Sequence, residues 1–361
     1  DAGEMDALYR MSEKELKKEL KTLITDLKEA PVAMAPRDLD SAADTHLRVR
    51  GEVGQLGPKV PRNFLKVLHT GTPPEISEGN SGRLELAEWI TSENNALLDR
   101  VIVNRAWHHL FGRGIVETVD NFGRLGSGPT HPELLDYLAT GFRERGGSLK
   151  SLVRDLVMTR AYRLTSNCDE GSVADPANQW FARQNHRRLS AEEIRDSILF
   201  LSGQLDRAPG EATANEFGED LDDPISFAEQ RKRTVYLPVA RNNPATELAV
   251  FDAANPDLVS GKRAQTTVPT QALYLLNSEF MHQQSGLLAV AALEASELPG
   301  EEVDWLYQTL LGRGPNPVES SDAQALIAGL SGGAESGEAL STAVAHLAHV
   351  LLASTEFLYL D

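Results

Sequence analysis

The 361 residues contain one cysteine, Cys168. A single thiol excludes an intrachain disulfide and a zinc site built on cysteines. The haem-attachment pattern C-x-x-C-H is absent, so the chain carries no covalently attached c-type haem of its own. A lone cysteine fits a reducing or an oxidising compartment equally well. No apolar run reaches the roughly 18 residues that spanning a bilayer requires. Basic residues are scarce: 35 Lys and Arg stand against 53 Asp and Glu, a net charge of −18. Such a field repels nucleic acid and anionic lipid and disfavours a general role in binding either. P-loop, G-x-G-x-x-G and H-E-x-x-H patterns are missing, and G-x-S-x-G occurs only as Gly329–Gly333, at the end of an expected helix and not after a strand. Nucleotide hydrolysis, dinucleotide binding, α/β-hydrolase chemistry and zincin proteolysis therefore lose their usual support. The opening DAGEMDALYR has no basic or apolar leader region and no initiator Met, and reads as an internal or processed start.

What is present is ordinary globular composition, 41% hydrophobic and 24% charged. The length suits one large domain or two ordinary ones. Residues 1–31 read as an amphipathic helix at the end of a preceding domain. Ser12 and Glu15 form a capping box, Leu16, Leu20, Leu23 and Leu27 form one stripe, and Pro31 stops it. Residues 32–82 read as a β-containing linker, with short strands in PVAMAPRDLD and THLRVRGEV. Its Pro, Gly and Ser-rich end, TGTPPEISEGNSGR, marks a boundary.

Residues 83–361 read as a helical domain. RLELAEWI and LLDRVIVNRAWHHLFG are adjacent helices, the second ended by Gly112 and Gly114. Thr130 and Glu133 predict a capping box for PELLDYLATGFRERG. SLKSLVRDLVMTRAY places Leu149, Leu152, Val153, Leu156 and Val157 on one face. LSAEEIRDSILFLSG is a further helix, and residues 206–230 form an acidic, solvated insertion. RTVYLPVARNN suggests a strand near 235–240. PTQALYLLNSEFMHQQSGLLAVAAL predicts one long helix, and three more helices complete the chain. The expected fold class is mainly α, a multi-helical globular domain with a small β-containing segment near the N-terminus.

Several of these runs carry a family resemblance. They are RGEVGQLGPKVPRNFLKVL, RLELAEWITSENNALLDRVIVNRAWHHLFGRGIVETVDNFG with THPELLDYLA, RRLSAEEIRDSILFLSGQLD, TTVPTQALYLLNSEF and the closing LLASTEFLYLD. Over roughly residues 45–361 the chain resembles the planctomycete-specific C-terminal domain family of cytochrome-c-associated secreted proteins, domain of unknown function 1553. It departs from the pattern in a longer acidic stretch and in Ala353, where Asn is expected. The resemblance implies export, to the periplasm or cell surface. It places any haem in an upstream domain or partner, and it implies no catalytic residues.

The polar constellations are few. Asn104, Arg105, Trp107, His108 and His109 interleave with apolar positions on one helix. They read either as a pocket with a histidine acid, base or ligand, or as an interior hydrogen-bond network. His131 opens the next long helix as a cap residue or as a partner for His108. Arg241, Asn242 and Asn243 follow the expected strand, as sugar- or carboxylate-binding groups or as turn residues. Arg188, Glu192 and Arg195, with Asp196 beside them, have the spacing of a salt-bridge ladder. Asp252, Asn255 and Asp257 form a weak calcium candidate without a full EF-hand pattern. His346 and His349 are three apart on a terminal helix, as ligands or as part of its packing.

The first functional expectation is a non-catalytic module that binds a protein partner or itself, including a basic c-type cytochrome drawn to the acidic surface. The alternative is an exported enzyme or binding protein for polysaccharide or another polymer. That alternative requires His108, His109, His131, Arg241 and Asn243 to meet in one cleft.

Overall fold

The computed structural model describes residues 36–38, 42–68, 72, 74–77, 79–166, 174–209, 230–237, 239, 245–334 and 336–360, with Lys17, Lys18 and Lys21. The chain is mainly α, with twelve α-helices and two small two-stranded antiparallel sheets among the described residues. It divides into two compact units. One comprises Pro36–Leu189, Leu258–Gln265 and Thr355–Asp361; the other comprises Asp1–Ala35, Ser190–Asp257 and Thr266–Ser354.

The first unit opens with a hairpin of β1 (Thr45–Arg48) and β2 (Leu56–Val60), paired Thr45↔Val60 and His46↔Lys59 with an irregularity before Arg48↔Leu56. Helix α1 (Arg83–Thr91) follows, its buried Trp89 stacked on Phe64 at 5.6 Å. Helix α2 (Ala96–Phe111) starts at Asn95, whose side chain accepts from the Leu97 N–H, and ends at Gly112, where φ is 74°. Helices α3 (Pro132–Glu144) and α4 (Leu149–Val157) complete the set. Apolar residues three or four apart on each helix turn one stripe inward. Val103, Trp107 and Phe111 of α2 thereby meet Leu135, Leu138 and Phe142 of α3 and Leu152 and Leu156 of α4 in one core. Arg143 near the end of α3 ties back to the Asp99 carboxylate at the start of α2. Strand β3 (Arg187–Arg188) belongs to this unit as well.

In the second unit α5 (Ala191–Leu201) begins with a full capping box between Ser190 and Glu193. Helix α6 (Thr246–Val250) is short. Then come α7 (Pro269–Asn277), α8 (Glu279–Ala295), α9 (Glu301–Leu311), α10 (Pro317–Ser331) and α11 (Glu338–Leu352). Helix α11 packs along both α8 and α10. Leu288, Ala289 and Ala292 of α8 and Ala343, Val344 and Ala348 of α11 are buried, and their mostly small side chains suit close helix approach. Returning to the first unit, α12 (Thr355–Leu358) leads into β4 (Tyr359–Leu360), which pairs antiparallel with β3.

The expected long helix over PTQALYLLNSEFMHQQSGLLAVAAL is two helices, because Ser278 is extended at φ −71°, ψ 139° and caps α8 by accepting from the Met281 N–H. The strand expected near 235–240 is instead a 3-10 turn at Thr234–Tyr236, held by Asp196. Thr130 does not cap α3: His131 is the N-cap, and the Thr130 hydroxyl bonds the Ile115 carbonyl instead. On α4 only Leu152 and Leu156 of the expected stripe are fully buried; Leu149 and Val153 stay exposed. Pro36–Asp38 form no strand. Lys17, Lys18 and Lys21 of the expected first helix are helical. The Ser12–Glu15 cap, Cys168 and the acidic insertion from 210 to 229 lie outside the described residues.

Candidate functional site

Helix α2 distributes its polar side chains over three environments. Asn104 is fully buried. Its carboxamide donates to the Val116 carbonyl at 2.9 Å and accepts from the Val116 N–H at 2.8 Å. Both backbone groups of a buried residue are thereby satisfied, which the core demands. Gly114 makes this possible: a Cβ there would stand 2.4 Å from the Val116 carbonyl oxygen and 3.0 Å from the Asn104 amide nitrogen. Trp107 stacks on Phe111 at 4.0 Å and meets Phe181 edge-on at 5.1 Å. Its indole N–H is buried without a hydrogen-bond partner.

Arg105 and His109 are exposed, and His108 is half-buried. The His108 and His109 rings lie 5.5 Å apart. Nδ1 of His108 is buried without a hydrogen-bond partner. Burial, then His109, Lys262 and Arg105, lower the His108 pKa to about 4. Each cause disfavours a second positive charge, so the imidazole is neutral at neutral pH.

His131 turns elsewhere. Its Nδ1 lies 2.9 Å from the Thr130 hydroxyl, and its ring meets Trp180 at 5.5 Å and Phe181 at 5.7 Å. The structure therefore joins His131 to Trp107 through Phe181, as aromatic packing. Among the described residues no group of three or more His, Cys, Asp and Glu is placed to hold a metal. Arg241, Asn242 and Asn243 lie outside the described residues.

In the second unit, Arg195 is buried and donates to the Lys232 carbonyl and the Thr234 hydroxyl, each at 3.0 Å. Asp196 accepts from the Thr234 N–H at 2.9 Å and its hydroxyl at 2.6 Å. This adjacent pair pins the returning segment at Thr234. Arg188 stands on β3 and not on α5, so the i, i+4, i+7 spacing does not describe one helix face. Glu192 does lie in the first turn of α5. Both Asp252 carboxylate oxygens accept from Thr266, N–H and hydroxyl at 2.8 Å each, while Asn255 accepts from the Asp257 N–H at 2.9 Å. That arrangement closes a loop. His346 is exposed and His349 buried. His349 Nε2 is 2.6 Å from the Leu275 carbonyl, and its ring meets His282 at 4.7 Å.

A cavity of about 20 Å³ lies between α5, α6 and α7, lined by Ile194, Ile198, Leu248, Phe251 and Phe280, with Tyr274 and Arg195 at its wall. It has room for about one water molecule. Burial raises the Tyr274 pKa, with Glu247 adding to the effect.

The family model for a protein of unknown function (DUF1553), PSD1, matches residues 82–327. The chain belongs to this family. No curated protein and no solved structure matches it significantly. The matched DUF1553 region holds the whole of α2, both members of the Arg195–Asp196 pair and the Asp252–Thr266 closure. Sequence reasoning missed Lys262, which acts on His108, and Thr234, which receives Arg195 and Asp196. Neither carries a local signal, because each meets its partner only through chain closure.

Proposed function

We propose that this chain is a non-catalytic interaction module of an exported multidomain bacterial protein. The observation that carries this reading is the β1–β2 hairpin. Every residue of β1 is exposed, as are Leu56 and Val60 of β2 and Val53 in the turn between them. A two-stranded ribbon is marginal by itself and gains stability from a layer on one face. Exposed apolar groups of this kind mark contact surfaces. Arg48, Arg50 and Lys59 stand beside them against the single acid Glu52, on a chain of net charge −18. The hairpin thus complements the acidic surface of a second copy, which makes a head-to-tail contact.

The acid excess elsewhere suits a basic partner, and a c-type cytochrome domain is the partner that the family resemblance suggests. Any haem would then belong to that partner or to an upstream domain.

Sedimentation of the chain, alone and with a basic c-type cytochrome, tests the reading. Wild type is expected to self-associate, and Val53→Ser with Leu56→Ser to remain monomeric. Cytochrome binding should weaken as ionic strength rises from about 10 mM to about 150 mM, where the screening length falls from about 30 Å to about 8 Å. A monomeric wild-type chain that ignores the cytochrome at both salt concentrations overturns it.

A further inference from the structure

We propose that a cleft of about 640 Å³ in the second unit, where α8 and α10 end and α9 and α11 begin, binds an alkylammonium group, as a free amine or as a lysine side chain. The first observation is how the cleft is built. Gln324, Ile327, Ala328 and Ser331 of α10 line it, and steps of three and four residues put them on one helix face. Residues 296–300 and Glu302, in the first turn of α9, line it too. The two walls meet at Gly300. A Cβ there would stand 3.3 Å from the Gln324 amide nitrogen, and the Gly300 N–H donates to Glu302 Oε2 at 2.8 Å. The volume is that of a small-molecule site.

The second observation is a pair of nine-tenths buried oxygens left open to it. Glu302 is 7% exposed and Ser331 8% exposed. Gly300 occupies Glu302 Oε2, while Glu302 Oε1 and the Ser331 hydroxyl make no hydrogen bond or ion pair among the described residues. Neither belongs to the unpartnered atoms that are sealed from solvent, so each keeps accessible surface, and the cleft is what both residues line. The third observation is charge. Glu297 also lines the cleft, and no Lys, Arg or His does. From 264 to 361 the only Lys or Arg in the sequence is Arg313, and Glu319 holds it. Two helices end at the cleft and two begin, so their terminal half-charges oppose one another and the carboxylates set the sign.

A buried carboxylate without a counter-ion is costly, and a cation in the cleft offsets that cost. Glu302 Oε1, the Ser331 hydroxyl and the Gln324 carboxamide oxygen are acceptors for the three N–H donors of an ammonium. Acceptors on separate elements suit a compact point charge better than the planar fork of a guanidinium. Leu293, Leu298, Pro299, Ile327 and Leu340 give the cleft an apolar wall for the aliphatic stem. A metal ion fits less well, because among the described residues no group of three or more His, Cys, Asp and Glu is placed to hold one. The cleft shares no residue with the β1–β2 hairpin, so this proposal goes beyond the self-association reading.

The test is a ligand-observed NMR titration of the whole chain. The probes are cadaverine, Nα-acetyl-lysine methylamide and the Nε-acetylated form of the latter, which keeps the stem and loses the charge. Calcium chloride and sodium chloride at matched ionic strength serve as competitors. Saturable binding of an amine is expected, with the Nε-acetylated form about tenfold weaker or more. Glu302→Gln, whose amide oxygen still accepts from Gly300, should weaken amine binding about tenfold or more, and Ser331→Ala about threefold, while circular dichroism stays unchanged. If Glu302→Gln does not fold, the Nε-acetyl comparison and Ser331→Ala decide. Tighter binding of the lysine derivative assigns a lysine side chain as occupant; tighter binding of cadaverine assigns a free amine. Absence of saturable binding, equal binding of the Nε-acetylated form, binding retained in a folded Glu302→Gln, or displacement by calcium beyond that by sodium overturns the proposal.

Discussion

The Asn104 carboxamide closes both backbone hydrogen bonds of Val116, at 2.9 and 2.8 Å, in the fully buried core beside α2. It does for the loop after the helix what a neighbouring strand would do in a sheet. Asn104→Leu keeps comparable volume but strands the Val116 N–H and carbonyl away from water. Two unpaired backbone groups are expected to cost about 2–4 kcal/mol. Urea denaturation measures this, and a loss within about 0.5 kcal/mol of zero would show that the loop finds other partners.

Trp107 contributes its ring more than its nitrogen. The stack on Phe111 and the edge contact with Phe181 survive in Trp107→Phe, which also removes a buried N–H without a partner. That change is expected to cost about 1–2 kcal/mol, whereas Trp107→Ala should cost about 3–5 kcal/mol. Equal losses in thermal unfolding would mean that the indole N–H is satisfied in solution.

His108 makes stability depend on pH in a predictable direction. The unfolded chain takes up a proton near pH 6.5, which the folded chain refuses until about pH 4. The contribution is therefore complete above 6.5 and is lost as pH falls toward 4. His108→Gln removes it. Between about pH 7 and about pH 5 the melting temperature of the variant should fall less than that of wild type. Parallel falls would place the His108 pKa near its ordinary value.

Gln284 in the second unit invites an apolar replacement. It is fully buried and accepts from the Ser202 hydroxyl at 2.6 Å, while its amide nitrogen has no hydrogen-bond partner. Ser202 also lies 3.2 Å from the Leu199 carbonyl, to which its hydroxyl hydrogen turns when Gln284 is gone. Gln284→Leu is expected to be neutral or stabilising, within about 1 kcal/mol. A loss above about 2 kcal/mol would show that the amide is bonded in solution.

Local patterning carried most of the helical architecture. The run LLDRVIVNRAWHHLFG with its glycine stop at Gly112 places α2, and the run LSAEEIRDSILFLSG places α5. These signals act within a turn or two of helix, so the residues that matter are neighbours in sequence. The site residues were legible only as a cluster. That Asn104, Arg105, Trp107 and His108 share a helix follows from their spacing; which of them are buried, and against what, does not. Ser278 shows the same limit inside one segment: it lies amid helix-compatible sequence and acts as a cap only where α7 and α8 part.

By itself, then, the amino-acid order determined that the chain is mainly helical, acidic and without an intrachain disulfide, and it located most of the helices by period and cap. The tertiary structure alone decided that Asn104 serves Val116, that Arg195 and Asp196 hold Thr234, that Lys262 reaches the field of His108, and that β4 closes on β3. Helical period and capping are properties of a few adjacent residues. A partner 12 or more than 150 positions away is selected only when packing fixes where the chain returns.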